Sequence, residues 1–413
     1  MKGLLLFLLL GPLAVAHAGS GGSAYSIFGL GDLRVGGGTR SDAMGGAGIG
    51  LADGGSINGL SPAAWSRIGL TRLEAGLLYE GFRSSDGSRS LYRASGDFHG
   101  ALLAVPVSIP DGIVFVSGFT PFSHTSYNTF TEGEQAGVAY TINHAGSGGL
   151  GRALAGLSWA PLPWLSAGAS LDYLFGSVEH LRRVTALSLD TLPASGSNTT
   201  ESISMNGITV TAGLLVSGQP SMPAPLDRLS LGLVLTSRGA LRASHTAYRE
   251  FAASRDTSGE TQGRVVIPPG FGVGLAWRAS ERMLLVADYH RRNWSAGSFL
   301  GGYGGEIRDA ERAGAGVERA PLRNPSAPWY DRISWRAGLS YEATYYSVNG
   351  RGIGEWLVTC GAGIPFSGDS RINLALAYGR RGTLEGGLIR DDIIRVTLGV
   401  GFSELWFTRF EEE

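Results

Sequence analysis

Short runs of alternating apolar and polar residues recur through most of this sequence and constrain its fold more than any other feature. In RINLALAYG, residues 371–379, Ile372, Leu374, Leu376 and Tyr378 point to one side of an extended chain. The intervening residues are polar or small and point to the other side, because successive side chains of a β-strand alternate between its faces. The pattern predicts strands with one apolar face, directed either into a protein core or outward into lipid.

The same alternation predicts fourteen strands between residues 70 and 408. An even number is required if both ends of a closed bacterial barrel lie on the same side of the membrane. The strands are expected at residues 70–82, 90–107, 112–122, 149–160, 164–179, 202–217, 228–239, 262–279, 282–295, 331–342, 344–350, 355–366, 370–381 and 391–408.

The connections between these strands sort by length. Short links follow strands two, four, eight, ten and twelve, and a Pro-rich link follows strand six. Long polar loops are expected at 123–148, 180–201, 240–261 and 296–330, after strands three, five, seven and nine. Short turns at one end and long loops at the other are typical of all-β, antiparallel outer-membrane barrels. The alternative is a soluble β-sandwich with its apolar faces inward, which would need the charges on the opposite faces to be solvent-exposed.

Charged and polar side chains recur on the face opposite to the apolar one, which suits a polar lumen. Rings near the predicted strand ends suit the lipid headgroup region; they belong to Trp159, Trp164, Trp294, Trp335, Trp356 and Tyr378. Pro268 and Pro269 each lack a ladder donor and mark either a kink in the barrel wall or a bulge without an opening. The residues expected to face the lumen are Asp172, Asp288, His290, Arg336, Arg371, Asn373 and Arg395.

The sequence before the first strand divides into two parts. Residues 1–18 have a basic start, a short apolar run and an A-x-A ending, which predict a secretory signal peptide. The alternative is a membrane anchor, but the run is short and Gly11 and Pro12 interrupt it. Residues 19–68 have neither period and are too apolar for a disordered tail. They are predicted to form a plug inside a barrel made by residues 69–413.

Composition argues against several classes of function. A net charge of −1 argues against a nucleic-acid partner, and the single cysteine, Cys360, excludes internal disulfides. The seven histidines are scattered and show no metal-ligand spacing, so no metal site is expected. GSGGLG, residues 146–151, precedes a predicted strand, so it lacks the context of a dinucleotide-binding motif. Because no spacing suggests a catalytic group, neither an enzyme activity nor a cofactor is expected.

RSDAMGGAGIGLADGGSINGLSPAAW, residues 40–65, is similar to the amino-terminal hatch of the long-chain fatty acid transporter (FadL/TodX-like) family. YEATYYSVNGRGIGEW and the stretch from Ile372 to Phe407 resemble uncharacterised outer-membrane barrels of Bacteroidota-type bacteria. Ser61 departs from the hatch pattern, in which an Asn usually precedes the proline. The family's hatch motif is matched by Arg40, Gly45 to Gly48, Asp53, Asn58 and Pro62-Ala63.

The resemblance implies a plugged fourteen-stranded barrel in the outer membrane of a Gram-negative bacterium. It implies passive uptake of hydrophobic small molecules, fatty-acid-like or aromatic, with a lateral exit through the wall. The alternative is a non-conducting structural or secretion-associated barrel whose extracellular loops bind protein partners. An apolar path past the plug would favour the channel, and a lumen sealed by Arg–Asp pairs would favour the alternative.

The expected partners are outer-membrane lipid, a hydrophobic small-molecule ligand and the barrel assembly machinery. The plug is expected to contact the lumen through Arg40, Asp42, Met44, Asp53, Asn58 and Pro62.

Overall fold

The computed structural model describes residues 21–135, 138–186, 196–251, 254–257, 259–300, 305–322, 324 and 326–405. The predicted signal peptide and residues 406–408 of the last predicted strand lie outside these ranges. None of the helices in the described residues is long and apolar enough to cross a membrane.

Fourteen strands form a closed antiparallel barrel in the described part of the chain. Each strand pairs with its neighbours in sequence, and the barrel closes because the last strand pairs with the first from Thr71↔Glu404 to Ser85↔Arg390. The strands are β1 Thr71–Ser85, β2 Ser90–Ser108, β3 Ile113–Pro121 with Ser123–Gln135, β4 Val138–Leu162, β5 Leu165–Ala186, β6 Gly196–Ser217, β7 Leu229–Thr236 with Gly239–Phe251, β8 Thr261–Ile267 with Gly270–Arg278, β9 Met283–Arg292, β10 Glu306–Ile307 with Ala310–Arg319, β11 Ser334–Val348, β12 Arg351–Ser367, β13 Ser370–Gly382 and β14 Arg390–Glu404.

Short helices occupy the N-terminal segment and several connections. One α-helical turn spans Thr39–Asp42, and a short strand, Ser254–Thr257, extends β7 as a hairpin. Another short strand, Asp32–Leu33, lies in the N-terminal segment. The 3₁₀ helices are Ala24–Ile27, Pro62–Arg67, Leu226–Arg228, Trp294–Ala296, Trp329–Asp331 and Glu385–Gly387.

The apolar faces of the strands point out of the barrel. Leu376 and Leu398 are 42% and 43% exposed, whereas Asn373 and Arg336 on the opposite faces are 5% and 4% exposed. Apart from one gap described below, the closed barrel pairs the backbone of its wall strands with their neighbours, as crossing hydrocarbon requires. The face of RINLALAYG that carries Ile372 therefore contacts lipid, as an outer-membrane barrel requires.

The predicted number of strands is confirmed, but two of the predicted elements are wrong. The predicted strands 331–342 and 344–350 correspond to one strand, β11 (Ser334–Val348), which is joined to β12 by a turn at Asn349 and Gly350. Both turn residues have positive φ angles, 53° and 71°, as a two-residue hairpin turn requires. The missing strand is β10, which lies in the predicted loop 296–330. Its sequence signal is weak because Val317 is the only large apolar residue among the outward positions of Ala310–Arg319.

The other predicted long loops are mostly extended strands. β4 has 25 residues and β5 and β6 have 22 each, whereas a membrane crossing needs about 9–11. Residues 123–135 of β3 and 239–251 of β7 continue the same sheet above the membrane. These stretches lack an apolar face because they lie in water, where neither face needs one.

Following the rule that short turns and chain ends of bacterial barrels are periplasmic, we assign the turns at 109–112 and 368–369 to the periplasmic end. The opposite, outer end carries the extended hairpins.

The wall is incomplete between two neighbouring strands. β2 and β3 pair only from Ala101↔Phe119 to Ser108↔Ile113. Above that level, β3 is interrupted after Pro121, which has no N–H to donate, and the Phe122 N–H bonds to β4 instead. Residues 90–100 of β2 and 123–135 of β3 form the two edges of this gap, called the seam below.

Candidate functional site

Residues 21–70, the N-terminal segment, contact inward-facing residues over the height of the barrel. Near the outer end, Tyr25 Oη donates to the Ile389 carbonyl over 2.5 Å. Near the periplasmic end, the hydroxyls of Ser66 and Ser166 are 2.9 Å apart. The chain thus runs from the outer half of the lumen down to the start of β1.

The best-defined contact is a buried cluster around Glu318 of β10, called the Arg40 cluster. Arg40 donates to both carboxylate oxygens of Glu318, each over 2.8 Å, and to Asp53 over 2.6 Å. Arg336 of β11 donates to Glu318 over 2.6 Å and to Asn373 of β13 over 2.9 Å. Two predicted site residues, Arg40 and Arg336, therefore meet at an acid of a predicted loop, and each also holds a second predicted residue, Asp53 or Asn373.

Asp53 is the acid that the N-terminal segment contributes to the Arg40 cluster, and its surroundings keep it ionised. Burial raises the pKa of Asp53, but the adjacent Arg40 guanidinium outweighs it and holds the pKa below its ordinary value. The same balance holds the pKa of Asp42 low, where His99 of β2 lies 2.9 Å away. Both carboxylates can therefore act as fixed counter-charges at neutral pH.

A second set of charges, called the central network, links the segment to four wall strands. Asp32 pairs with Arg381 at 2.7 Å, and Arg381 pairs with Glu355 at 2.6 Å. Glu355 pairs with Arg395, and Arg395 contacts Glu80 of β1. Arg34 completes the network with a 2.6 Å pair to Glu80. Three acids and three arginines thus neutralise one another across the lumen.

The central network contains only one predicted lumen residue, Arg395. Glu80, Glu355 and Arg381 were missed, although strand alternation would have found each of them. Leu73, Leu77 and Tyr79 face outward at odd-numbered positions of β1, so alternation places Glu80, at an even-numbered position, on the lumen side.

The other predicted contacts of the N-terminal segment are of two kinds, one internal to the segment and two against the wall. Asn58 donates to the carbonyls of Gly48 and Leu51, and its own side-chain oxygen accepts from the Leu60 N–H. Met44 is 1% exposed and packs on apolar residues of β8 and β9, and Pro62 lies against Gly168 of β5 and Gly213 of β6. Asn58 therefore shapes the segment rather than tying it to the wall.

The remaining predicted lumen residues lie in different surroundings. Asp288 accepts hydrogen bonds from the N–H groups of Gly48 and Ile49, over 2.7 and 2.8 Å. Asp172 accepts from Thr211 and Ser170 on the wall. His290 lines a cavity, and Arg371 lies 3.7 Å from Asp369 at the periplasmic mouth.

Pro268 and Pro269 separate the two parts of β8. β8 pairs with β7 on both sides of these prolines, through Gly239↔Ile267 before them and Thr236↔Gly270 after them.

An apolar core fills the outer half of the lumen. Tyr345 and Tyr346 interrupt the alternation of β11 and are both 1% exposed. The Tyr345 hydroxyl donates towards the carbonyls of Phe28 and Gly31 and accepts from the Leu30 N–H. Trp294, predicted at the membrane interface, packs instead on Tyr345 with ring centroids 4.9 Å apart. The doublet of tyrosines was the sequence signal for this site.

The cavities inside the barrel are small and bordered by charges. Cavities of about 100 and 200 Å³ flank residues 33–35, and their linings include Arg34 and Arg312. A vestibule of about 1250 Å³ opens at the periplasmic mouth and shares no lining residue with either. In the described residues, no group of three or more His, Cys, Asp or Glu side chains could hold a metal ion.

Solved structures of similar fold include a monoaromatic hydrocarbon channel and a toluene transporter. The CymD monoaromatic hydrocarbon channel has a TM-score of 0.59 and 15% identity, over 92% of this chain and 100% of that chain. A Pseudomonas aeruginosa FadL homologue has a TM-score of 0.59 and 15% identity, over 88% and 96%. The P. putida toluene transporter TodX has a TM-score of 0.57 and 19% identity, over 89% and 98%.

At these identities the likeness establishes the fold, and it agrees with an outer-membrane location in a Gram-negative bacterium. No curated protein matches the sequence. The BamG family model matches residues 1–411, and the chain therefore belongs to the BamG family.

Proposed function

We propose that this chain is a sealed outer-membrane barrel that acts through its surfaces, as a protein-binding component working with the barrel assembly machinery. The family name BamG points to that machinery. In this proposal residues 21–70 are a plug, and the barrel is a scaffold rather than an open pore.

The observation that carries the proposal is the central network. A continuous path past Asp32 and Arg34 would have to separate several buried ion pairs at once. Removing one partner of a buried pair costs about 3–5 kcal/mol, because the other charge stays desolvated. The apolar core above and the Arg40 cluster below add two further barriers in series.

The outer hairpins supply the surface that such a component needs. β3 to β7 continue above the membrane as one sheet, from the Gln135↔Val138 pair to the Phe251↔Ser197 pair. Exposed aromatic side chains on these arms include Phe130, 61% exposed, and Phe251, 51% exposed. Aromatic residues are enriched in protein interfaces.

The experiment combines reconstitution with depletion in cells. Proteoliposomes containing the pure protein should admit neither small polar solutes nor a fluorescent fatty acid faster than empty liposomes. Depletion in cells should lower the amount of folded outer-membrane barrels, and cross-linking should join the protein to the central barrel of the assembly machinery. Rapid uptake without any assembly defect would overturn the proposal.

A hydrophobic-compound channel is the second candidate, and the seam is the observation that favours it. Two proteins of similar fold are a monoaromatic hydrocarbon channel and a toluene transporter. Here a hydrophobic molecule could leave through the seam only if residues 21–34 moved away from it. Uptake of the fatty acid that stops when Leu33 is cross-linked to Ser123 would support this candidate.

A further inference from the structure

The seam is lined by backbone edges rather than by a ready-made opening. Residues 90–100 of β2 pair with β1 and, apart from β1, with no other strand in the described residues. Residues 128–135 of β3 pair only with β4 in the described part of the chain. An edge strand presents a row of N–H and C=O groups that another extended chain can bond.

The N-terminal segment already uses one of these edges as a strand would. Asp32 and Leu33 form an antiparallel ladder with His124 and Ser123. The Arg34 N–H then donates to the Phe122 carbonyl over 2.9 Å. Further out, the Ser26 hydroxyl accepts from the Ser126 N–H and donates to its carbonyl.

Two consecutive glycines lie where the N-terminal segment passes between the two edges of the seam. A Cβ at Gly21 would lie 2.5 Å from the Ala94 carbonyl oxygen of β2. A Cβ at Gly22 would lie 2.2 Å from the Ser126 carbonyl oxygen of β3. Because neighbouring residues touch opposite edges, bare main chain fills the seam at this level, and bulkier residues would force the edges apart.

The edge of β3 is longer than the part that the segment covers. Beyond Tyr127, eight residues, 128–135, continue as strand, and strands of five or six residues are typical. At its base the seam is held together by Asp97 of β2 and His124 of β3, 3.6 Å apart, and by the stacked rings of Phe98 and Phe119. The base is therefore closed while the outer part can accept a chain.

We propose that the seam is a β-strand receptor, which residues 21–34 occupy in cis and which binds an extended, unpaired strand of a partner polypeptide in trans. The partner adds to the edge of β3 by main-chain hydrogen bonds, a mode that tolerates many sequences. This inference rests on the proposed protein-binding function and names the kind of partner that the barrel binds.

The test uses the segment itself as the probe. A variant lacking residues 21–36 is purified, and heat-modifiable migration confirms its barrel. A fluorescent peptide of sequence GGSAYSIFGLGDLRVG, residues 21–36, is added in trans. We expect saturable binding to this variant. We expect none to the full chain in which Leu33→Cys is joined to Ser123→Cys, with Cys360→Ser as background.

Two altered peptides separate strand pairing from the loss of a charge. The Arg34→Pro peptide lacks the N–H that bonds to Phe122, whereas the Arg34→Ala peptide keeps it. Losing this hydrogen bond and its ladder geometry should weaken binding about tenfold relative to the Ala peptide. Equal affinity of the two peptides, or no binding of the unaltered peptide, would overturn the receptor.

If the deletion variant does not fold by itself, it is refolded together with the unlabelled peptide of residues 21–36, which fills the seam in the refolded barrel. The labelled peptide added afterwards should replace the unlabelled one, and failure to exchange would overturn the receptor. Displacement of bound peptide by a fluorescent fatty acid would assign the seam to hydrophobic molecules instead. Loss of peptide binding with continued cross-linking to the assembly machinery would reject the receptor but keep the proposed function.

Discussion

A single glutamate decides how the lower part of the barrel is closed. Glu318 accepts hydrogen bonds from Arg40 of the N-terminal segment and Arg336 of the wall, and it is 6% exposed. The ionised Glu318 carboxylate offsets the repulsion between the guanidinium groups of Arg40 and Arg336, which it holds together. The contact therefore joins the segment to β10 and β11 at one point.

Glu318→Gln should release the N-terminal segment. The substitution keeps the shape but leaves two buried cations without their shared counter-charge, and we expect a loss of about 3–5 kcal/mol in the free energy of docking. Limited proteolysis of residues 21–70 in the folded barrel measures this release. The matched control is Asp392→Asn. Asp392 pairs with Arg380 of the neighbouring wall strand, so this substitution should leave the cleavage rate unchanged. Equal protection of Glu318→Gln and the parent chain would contradict the role of the cluster.

Two adjacent residues of β14 should respond differently to the same substitution. Leu398 faces lipid, so Leu398→Arg should cost about 2–4 kcal/mol near the membrane midplane. Thr397 faces the filled lumen and is 3% exposed, so Thr397→Arg should displace the N-terminal segment instead.

Urea unfolding in liposomes and heat-modifiable migration measure both effects. Deleting residues 22–60 should rescue the barrel of Thr397→Arg but not that of Leu398→Arg. Rescue of both or of neither would mean that the two faces have been assigned wrongly.

At the scale of elements, the sequence predicted strands well wherever one face had to be apolar. β13 and β14 were found with nearly their true bounds because lipid demands Leu, Ile or Val at every second position. β10 was missed because Ala313 and Ala315 give a weak signal, and the arms above the membrane were missed because water imposes no alternation. Glu318 was lost with β10, so the Arg40 cluster could not be assembled from sequence alone.

Cysteine labelling on intact cells tests the orientation of these elements. In a Cys360→Ser background, cysteines at 128–134, on the outer arm of β3, should react with impermeant reagents. Cysteines at 109–111 or 368, in the periplasmic turns, should react only after the outer membrane is permeabilised. Positions 311–319, which the sequence placed in a loop, should be protected because they form β10. The reverse pattern would invert the barrel.

At the scale of the whole molecule, the wall and the N-terminal segment are separable. Every barrel strand has its neighbours without the segment, since the ladder closes between β14 and β1. Deleting residues 22–60 should therefore leave a heat-modifiable barrel and raise the entry of small polar antibiotics into cells. The loss of the ion pairs and the apolar core removes the barriers in series described above.

The control for this deletion is the full chain with Leu33→Cys joined to Ser123→Cys, which should be as impermeable as the parent. Unchanged permeability in a correctly assembled deletion would show that residues 22–60 do not seal the lumen. Heat-modifiable migration must be checked first, so that a failure to assemble is not mistaken for a sealed barrel.

The contact between Ser23 and Asp391 limits when the N-terminal segment can dock during assembly. These residues are 368 positions apart, and their side chains are joined by a 2.5 Å hydrogen bond. Closing so long a loop requires the last strand, so this bond cannot form until nearly all of the wall is in place. A newly inserted barrel must therefore pass through an interval in which its upper lumen is unlined and its seam is vacant. The length of that interval, rather than the strength of the finished contacts, would set how long each new molecule leaks or lies open to another chain.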